Sequence, residues 1–255
     1  MSIKKINNNF KYCVPILEND FDSFANKVRE LDGCYNQLIE ARIDYLLNNN
    51  YSIENIIEFL NNLSDKVTKK GIIATIRTKN DGGKIELQKD LYFSYIKELN
   101  QNVNSQYLDV EYNYYIEDKK LYDDILGSNA KKTILSLHYF DKTLSRAKYA
   151  QLFSEMADKT CDIVKFAVKT NTKEEVFDLM LAANDVRELL IDRKKEAIFI
   201  AMGEIGKISR IWPEFTNTKL VFLSGYPKNA ENIGQLTIEN YPIVRNLLEK
   251  KCKNW

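Results

Sequence analysis

The stretch Cys161-Asp162-Ile163-Val164-Lys165-Phe166-Ala167-Val168 carries a lysine in the middle of an apolar, β-branched run too short for a typical helix. Lysine is almost never fully buried unless another group pairs with it or uses it. Desolvation disfavours the ammonium form, and a free amine adds to ketones and aldehydes to give an imine. A plainer reading also fits: an amine that snorkels from a strand end or closes an internal ion pair. Imine chemistry needs a proton shuttle near the nitrogen, and histidine is the usual one. The chain has one histidine, His138, and it too ends an apolar run, Lys132-Thr133-Ile134-Leu135-Ser136-Leu137.

Other polar residues interrupt or end apolar runs in the same way. Glu40 and Arg42 are two apart, so on a strand both side chains point to one side. Arg77 ends the run that starts at Gly71, and Asp81 follows in Thr78-Lys79-Asn80-Asp81-Gly82-Gly83. Glu111 ends Tyr107-Leu108-Asp109-Val110, Ser209 and Arg210 follow Met202, and Gln235 follows the last short apolar run. Each alone has a structural explanation; a strand-end histidine or a Glu–Arg pair is usually part of the scaffold. Together they form a set: a buried lysine, a lone histidine, arginines suited to a carboxylate or several hydroxyls, and acids to orient them.

One arrangement of elements brings these positions to a common rim. Strand patterns at 12–17, 37–44, 71–77, 107–111, 132–138, 161–168, 197–202 and 219–223 alternate with helical patterns. The helices fall at 20–31, 52–65, 89–99, a short stretch through Tyr122, 145–157, 173–190, a turn after Gly203, and 238–251, with Ser52 as an N-cap. Strand–helix alternation argues for parallel pairing through crossovers, and eight units in ~250 residues is the usual size of a (β/α)₈ barrel. No linker or composition shift divides the chain, so the expectation is an α/β fold, a single (β/α)₈ barrel spanning residues 1–255. In such barrels the working residues lie at the C-terminal ends of the strands. No G-x-G-x-x-G follows any strand, and Gly203-Glu204-Ile205-Gly206-Lys207 lacks the spacing of a phosphate loop.

Lys plus Arg total 37 and Asp plus Glu 36, a net charge of +1, so no charge excess points to nucleic acid or an anionic membrane. The first ten residues are polar and Asn-rich, and no apolar run approaches the ~20 residues of a membrane span. These features predict a soluble, cytoplasmic protein. Cys13, Cys34, Cys161 and Cys252 have no metal-ligand spacing, so free thiols and no metal site are expected.

The residues resemble the type I 3-dehydroquinate dehydratases. Ile39-Glu40-Ala41-Arg42-Ile43-Asp44 is similar to the family's I-E-W-R-x-D, and the segment from Thr75 to Gly83 to its T-F-R-S/T-x-x-E-G-G. Asp109-Val110-Glu111 resembles D-V-E, and Ser136-Leu137-His138-Tyr139-Phe140 with Thr143 resembles S-x-H-D-F-x-x-T. The Lys165 strand resembles D-x-x-K-I-A-V; Met202 with Gly206, Ser209 and Arg210 resembles S-M-x-x-x-G-x-x-S-R; Gly234-Gln235 falls where the family has A-P-G-Q.

The resemblance implies a lyase that removes water from 3-dehydroquinate to give 3-dehydroshikimate, in the shikimate route to aromatic compounds. Lys165 would form the imine with the ring ketone and His138 would be the general acid and base, with Asp81 or Glu111 holding its tautomer. Glu40, Arg42, Arg77, Met202, Arg210, Glu231 and Gln235 would contact the substrate. The resemblance further implies no cofactor, a small-molecule substrate as the partner, and a homodimer. Two alternatives remain at this level: another imine-forming barrel lyase of the class I aldolase kind, and a non-catalytic ligand-binding relative. Asp81 replaces the family's Glu, Tyr139 replaces Asp, Lys169-Thr170 replaces Met-Pro, and Thr216-Asn217-Thr218-Lys219 replaces a small, Gly-containing segment. Glu231 stands where a serine would help hold the substrate carboxylate. Two like charges ~4 Å apart repel by ~1 kcal/mol in water and ~4 kcal/mol at an effective dielectric of 20. Glu231→Ser is therefore expected to lower KM several-fold with less effect on kcat, the gap narrowing as salt is raised; an unchanged KM at low ionic strength would place Glu231 in solvent.

Overall fold

Every apolar run that the sequence marks as a strand is covered on both faces, as parallel strands require. The computed structural model describes residues 10–66, 68–127, 131–227 and 234–249. The strands are β1 (Lys11–Ile16), β2 (Leu38–Arg42), β3 (Gly71–Thr75), β4 (Tyr107–Glu111), β5 (Lys132–Tyr139), β6 (Ile163–Lys169), β7 (Glu196–Met202) and β8 (Leu220–Phe222). They lie in the order β7-β6-β5-β4-β3-β2-β1-β8, and all neighbours are parallel. The remaining seam, β7 to β8, is bridged at Ala197↔Thr218, with Lys219 N–H donating to the Ala197 carbonyl at 2.8 Å. The result is a nearly closed (β/α)₈ barrel, the architecture expected from the sequence.

Helices cross over between the strands, and several of them carry side-chain caps at their N-termini. Asp20 accepts from Ser23 N–H at 2.8 Å, Ser52 from Asn55 N–H at 3.3 Å, and Thr172 with Glu175 forms a reciprocal capping box. Some boundaries shift. β2 ends at Arg42 and a helical turn, Ile43–Asn48, follows at once, so Asp44 leaves the strand. β3 ends at Thr75, leaving Arg77 just beyond it. The helical pattern at 173–190 breaks at Val186 into Lys173–Asp185 and Arg187–Asp192.

The period of two along each strand divides the side chains between two cores. Val164, Phe166 and Val168 face the helices with Tyr149, Phe153 and Phe199, where Phe153 stacks on Phe199 at 4.2 Å. Ile163 and Ala167 face the barrel axis with Cys13, Leu38, Ile73, Tyr107, Ile134 and Ile198. Lys165, between Ile163 and Ala167 in this alternation, therefore points inward. Its strand register sets it beside Ser136, which in turn sits beside Glu111. The barrel thus has an apolar floor and a polar storey above it, opening at the C-terminal ends of the strands.

The loop after β3 folds back closely on itself. Gly83 N–H donates to Thr78 O at 2.7 Å, and a Cβ on Gly83 would meet the Arg77 carbonyl oxygen at 1.8 Å. That neighbour is backbone and cannot swing away. Gly83→Ala is expected to displace the loop and cost ~1–3 kcal/mol, read as a lower denaturation midpoint with reduced turnover.

Candidate active site

The mouth of the barrel holds a cavity of about 170 Å³. Glu40, Arg42, Arg77, Asp81, His138, Lys165, Met202, Arg210 and Gln235, drawn from strands or the loops after them all round the ring, line it together. These are the sequence-derived site positions except Glu231, which lies outside the described residues along with Asn232 and Ile233. Two other marked residues stand behind the wall. Glu111 is fully buried against Thr78, and Ser209 ties the loop after β7 together, accepting from Ala201 N–H at 3.0 Å and donating to Gly206 O at 2.8 Å.

Lys165 is 4% exposed, and its ammonium lies between two carboxylates, Asp109 Oδ2 at 3.1 Å and Glu40 Oε1 at 3.3 Å. The Phe222 ring covers it at 4.5 Å, a cation–π contact. The Thr75 hydroxyl donates to the same Glu40 oxygen at 3.1 Å and keeps that carboxylate aimed at the lysine. Lys165 is therefore both ion-paired and part of the cavity wall, which joins the two readings the sequence left open.

His138 is held twice by one oxygen. Asp81 Oδ2 accepts from the His138 backbone N–H at 3.0 Å and lies 3.0 Å from Nδ1. Asn113 Nδ2 donates to Oδ1 of the same carboxylate at 3.3 Å. An ionised Asp81 places the proton on Nδ1 and leaves Nε2 as the unprotonated nitrogen. Burial, with the nearby charges of Arg77 and Lys165, lowers the His138 pKa well below its ordinary value, so the ring is neutral at pH 7.

Arg77 is the hub of the acids. It donates to Asp109 at 2.8 Å, Glu111 at 3.3 Å and Ser136 Oγ at 2.8 Å, with Asp81 at 3.9 Å. The carboxylates around it differ sharply. Burial raises Asp81 to about 6 and Glu111 to about 7, against the pull of Arg77. Burial also pushes Asp109 up, but Arg77, Lys165 and the Ser136 hydroxyl outweigh it and hold its carboxyl well below the usual range. Arg42 makes a bidentate pair with Asp44 at 2.7 and 2.8 Å, and Asp44 also receives the backbone N–H of Lys84 at 3.1 Å, pinning the loop after β3. On the far rim, burial lowers Arg210 to about 10. Gly234 approaches Gly203 so closely that a Cβ would sit 1.9 Å from its carbonyl oxygen. Gln235 and Met202, the chain neighbours of these two glycines, both line the cavity.

Sequence reasoning missed Asp109, Ser136, Asp44 and Phe222 as parts of the site. Asp109 carried a legible signal, since it lies two residues before Glu111 and must share its face. Among the described residues no cluster of three or more His, Cys, Asp and Glu side chains is arranged to hold a metal ion, and no helix is long and apolar enough to cross a membrane.

Fold and cavity define a class: a (β/α)₈-barrel enzyme with a buried lysine and a carboxylate-held histidine in one mouth. The model of the type I 3-dehydroquinase family matches residues 12–251. A 3-dehydroquinate dehydratase of Streptococcus pneumoniae is 29% identical over 213 residues, 84% of this chain and 88% of that protein. A crystal structure of the type I 3-dehydroquinate dehydratase of Clostridium difficile, covalently modified with comenic acid, superposes with a TM-score of 0.84 at 25% identity, covering 98% of this chain and 97% of that one. The 3-dehydroquinate dehydratase of Aquifex aeolicus superposes with a TM-score of 0.74 at 26% identity, covering 95% and 100%. The chain belongs to the type I 3-dehydroquinase family and is a hydro-lyase.

The raised acids have a measurable signature. With Glu111 moved up from 4.5 to about 7, the folded chain keeps a proton there that the unfolded chain has released. That contribution to stability is present below the unfolded pKa and lost as pH rises through the folded one. Glu111→Gln has no such titration, so it is expected to gain stability relative to the parent between about pH 5 and about pH 8. Denaturant melts at both pH values check this, and a constant difference between the two proteins would refute it.

Proposed function

We propose that this hydro-lyase dehydrates 3-dehydroquinate to 3-dehydroshikimate through an imine between Lys165 and the ring ketone, with His138 as general acid and base. The observation that carries the reading is the pair itself: a buried lysine and a neutral, carboxylate-held histidine on the wall of one cavity. The Lys165 amine attacks the ketone carbon, and the carbonyl oxygen leaves as water. The imine then accepts electrons from the neighbouring C–H bond as His138 Nε2 takes its proton. The resulting enamine expels the β-hydroxyl, which leaves as water with the proton His138 returns. Hydrolysis of the imine releases product and restores the lysine. The imine is the electron sink, so this chemistry calls on no metal or dissociable cofactor.

Asp81 holds the His138 tautomer in this reading. Arg210 and Gln235 receive the carboxylate end of the substrate and Met202 contacts the substrate, while Glu40, Arg42 and Arg77 face its hydroxyls. Glu231, outside the described residues, joins the carboxylate end by the family pattern. Residues 1–255 act as one catalytic domain. A role in aromatic amino acid biosynthesis, a cytoplasmic setting and a homodimeric assembly belong to the same proposal.

Three experiments test the reading. Borohydride added with 3-dehydroquinate should leave a reduced adduct on Lys165 in peptide mass spectra, lost in Lys165→Ala; an adduct elsewhere, or none, sinks it. His138→Ala should lower turnover by ~10²–10⁴, followed by the ultraviolet absorbance of the conjugated enone product. The pH dependence has a definite sign. Protonating Asp81, whose pKa is raised to about 6, removes the acceptor for His138 Nδ1–H, so kcat/KM should fall as pH drops through about 6. Asp81→Asn should flatten that limb at a lower overall rate.

A further inference from the structure

Asp109 is fully buried, and its two oxygens divide between two cations. Oδ2 lies 3.1 Å from Lys165 Nζ, while Oδ1 accepts from Arg77 at 2.8 Å and from Ser136 Oγ at 2.6 Å. Arg77 also donates to Ser136 Oγ at 2.8 Å, so the three side chains close a ring of hydrogen bonds directly behind the lysine. Asp109 and Ser136 lie on the adjacent strands β4 and β5, Arg77 lies just beyond β3, and Lys165 stands next to Ser136 on β6. Glu40, the other acid against Lys165, lines the cavity where substrate enters; Asp109 stands behind the wall.

We propose that Asp109 is a further catalytic residue: the fixed counter-charge, touching the reacting nitrogen, that keeps the Lys165 imine protonated. The inference rests on the imine reading above. When the Lys165 nitrogen bonds to the ketone carbon and the carbonyl oxygen departs as water, the nitrogen retains one hydrogen and a positive charge. That charge is what draws the electron pair from the neighbouring C–H bond; a neutral imine is a much weaker sink. The nearest base must therefore stabilise the charge without removing the proton. Asp81 and Glu111, pushed up by burial, are poor groups for that task. Asp109 is pushed up by burial too, but Arg77, Lys165 and Ser136 prevail and keep it an anion. Pre-oriented and dry, it acts on the iminium as other buried, fixed charges act on the charge that develops in a transition state.

Asp109→Asn in the full-length protein keeps the side-chain shape and removes the charge. Turnover is expected to fall by ~10²-fold or more, and the borohydride-trapped Lys165 adduct at saturating substrate by about tenfold. Binding of quinate, the substrate with its ketone reduced to an alcohol, should change by less than about twofold, because quinate forms no imine. A structural role for Asp109 would move all three together, and that result overturns the proposal. If Asp109→Asn fails to fold by circular dichroism, Ser136→Ala takes its place, since it leaves the charge but removes a donor that fixes it. Several-fold weaker trapping with unchanged quinate binding then supports the assignment, and unchanged trapping overturns it. The parent protein run alongside separates the two ideas. No adduct on its Lys165 sinks the imine reading and this one with it; equal adducts in parent and Asp109→Asn sink the Asp109 assignment alone.

Discussion

The mouth of this barrel depends on the neutralisation of two buried cations, Arg77 and Lys165. An unpaired charge there would be prohibitively unstable, so each must meet carboxylates at close range. Asp109 meets both, Glu40 meets the lysine, and Glu111 and Asp81 gather around the arginine. Removing one partner from such a pair typically costs ~3–5 kcal/mol, yet replacing the whole set by apolar side chains is often neutral or stabilising. Stability alone would be served by continuing the apolar floor of Ile73, Ile134, Ile163 and Ile198 upward. The charged storey is instead what the proposed imine chemistry calls for, and the rest of the interior is built to tolerate it.

Tolerance comes from dividing the acids by environment. Asp109, between both cations and a hydroxyl, stays an anion; Asp81 and Glu111, more weakly compensated for their burial, rise towards neutral pH. His138 moves the other way, because burial and two neighbouring cations disfavour its charged form. One arginine thus stands among groups that titrate over a wide span, a pattern characteristic of acid–base sites.

The departures from the family pattern turn out to be scaffold adjustments wherever the chain is described. Tyr139 turns to the helix layer, where it meets Phe166 edge-on at 5.2 Å and Lys142 at 3.9 Å. Thr170 donates its hydroxyl to the Met202 carbonyl at 3.0 Å and so joins the ends of β6 and β7. Thr216 and Thr218 build the seam between β7 and β8, with Phe199 N–H donating to Thr218 Oγ1 at 3.1 Å and Asn217 taking the left-handed turn at φ 52°. The shorter acid at position 81 still reaches both the backbone and the ring of His138, and Asn113 supports its other oxygen.

Strand–helix alternation, a buried lysine in the sixth strand and the places of His138, Arg77 and Arg210 at or after strand ends were readable in the sequence, because hydrophobic period and turn chemistry are local. Positions on or after apolar runs, with the family motif at Met202, also marked Glu40, Arg42, Asp81, Met202 and Gln235, which line the cavity together. What the chain order could not contain was the pairing. Lys165 meets Glu40 across 125 residues and Asp109 across 56, and Arg77 reaches Ser136 across 59. Asp109 looked like one polar residue in an apolar strand, no different in type from Glu111. Only closure of the ring placed one against the lysine and the other against Thr78, and with that separated a permanent anion from an acid that titrates near pH 7. Protonation states in a buried cluster are set by distances between strands, and those distances exist only in the folded barrel.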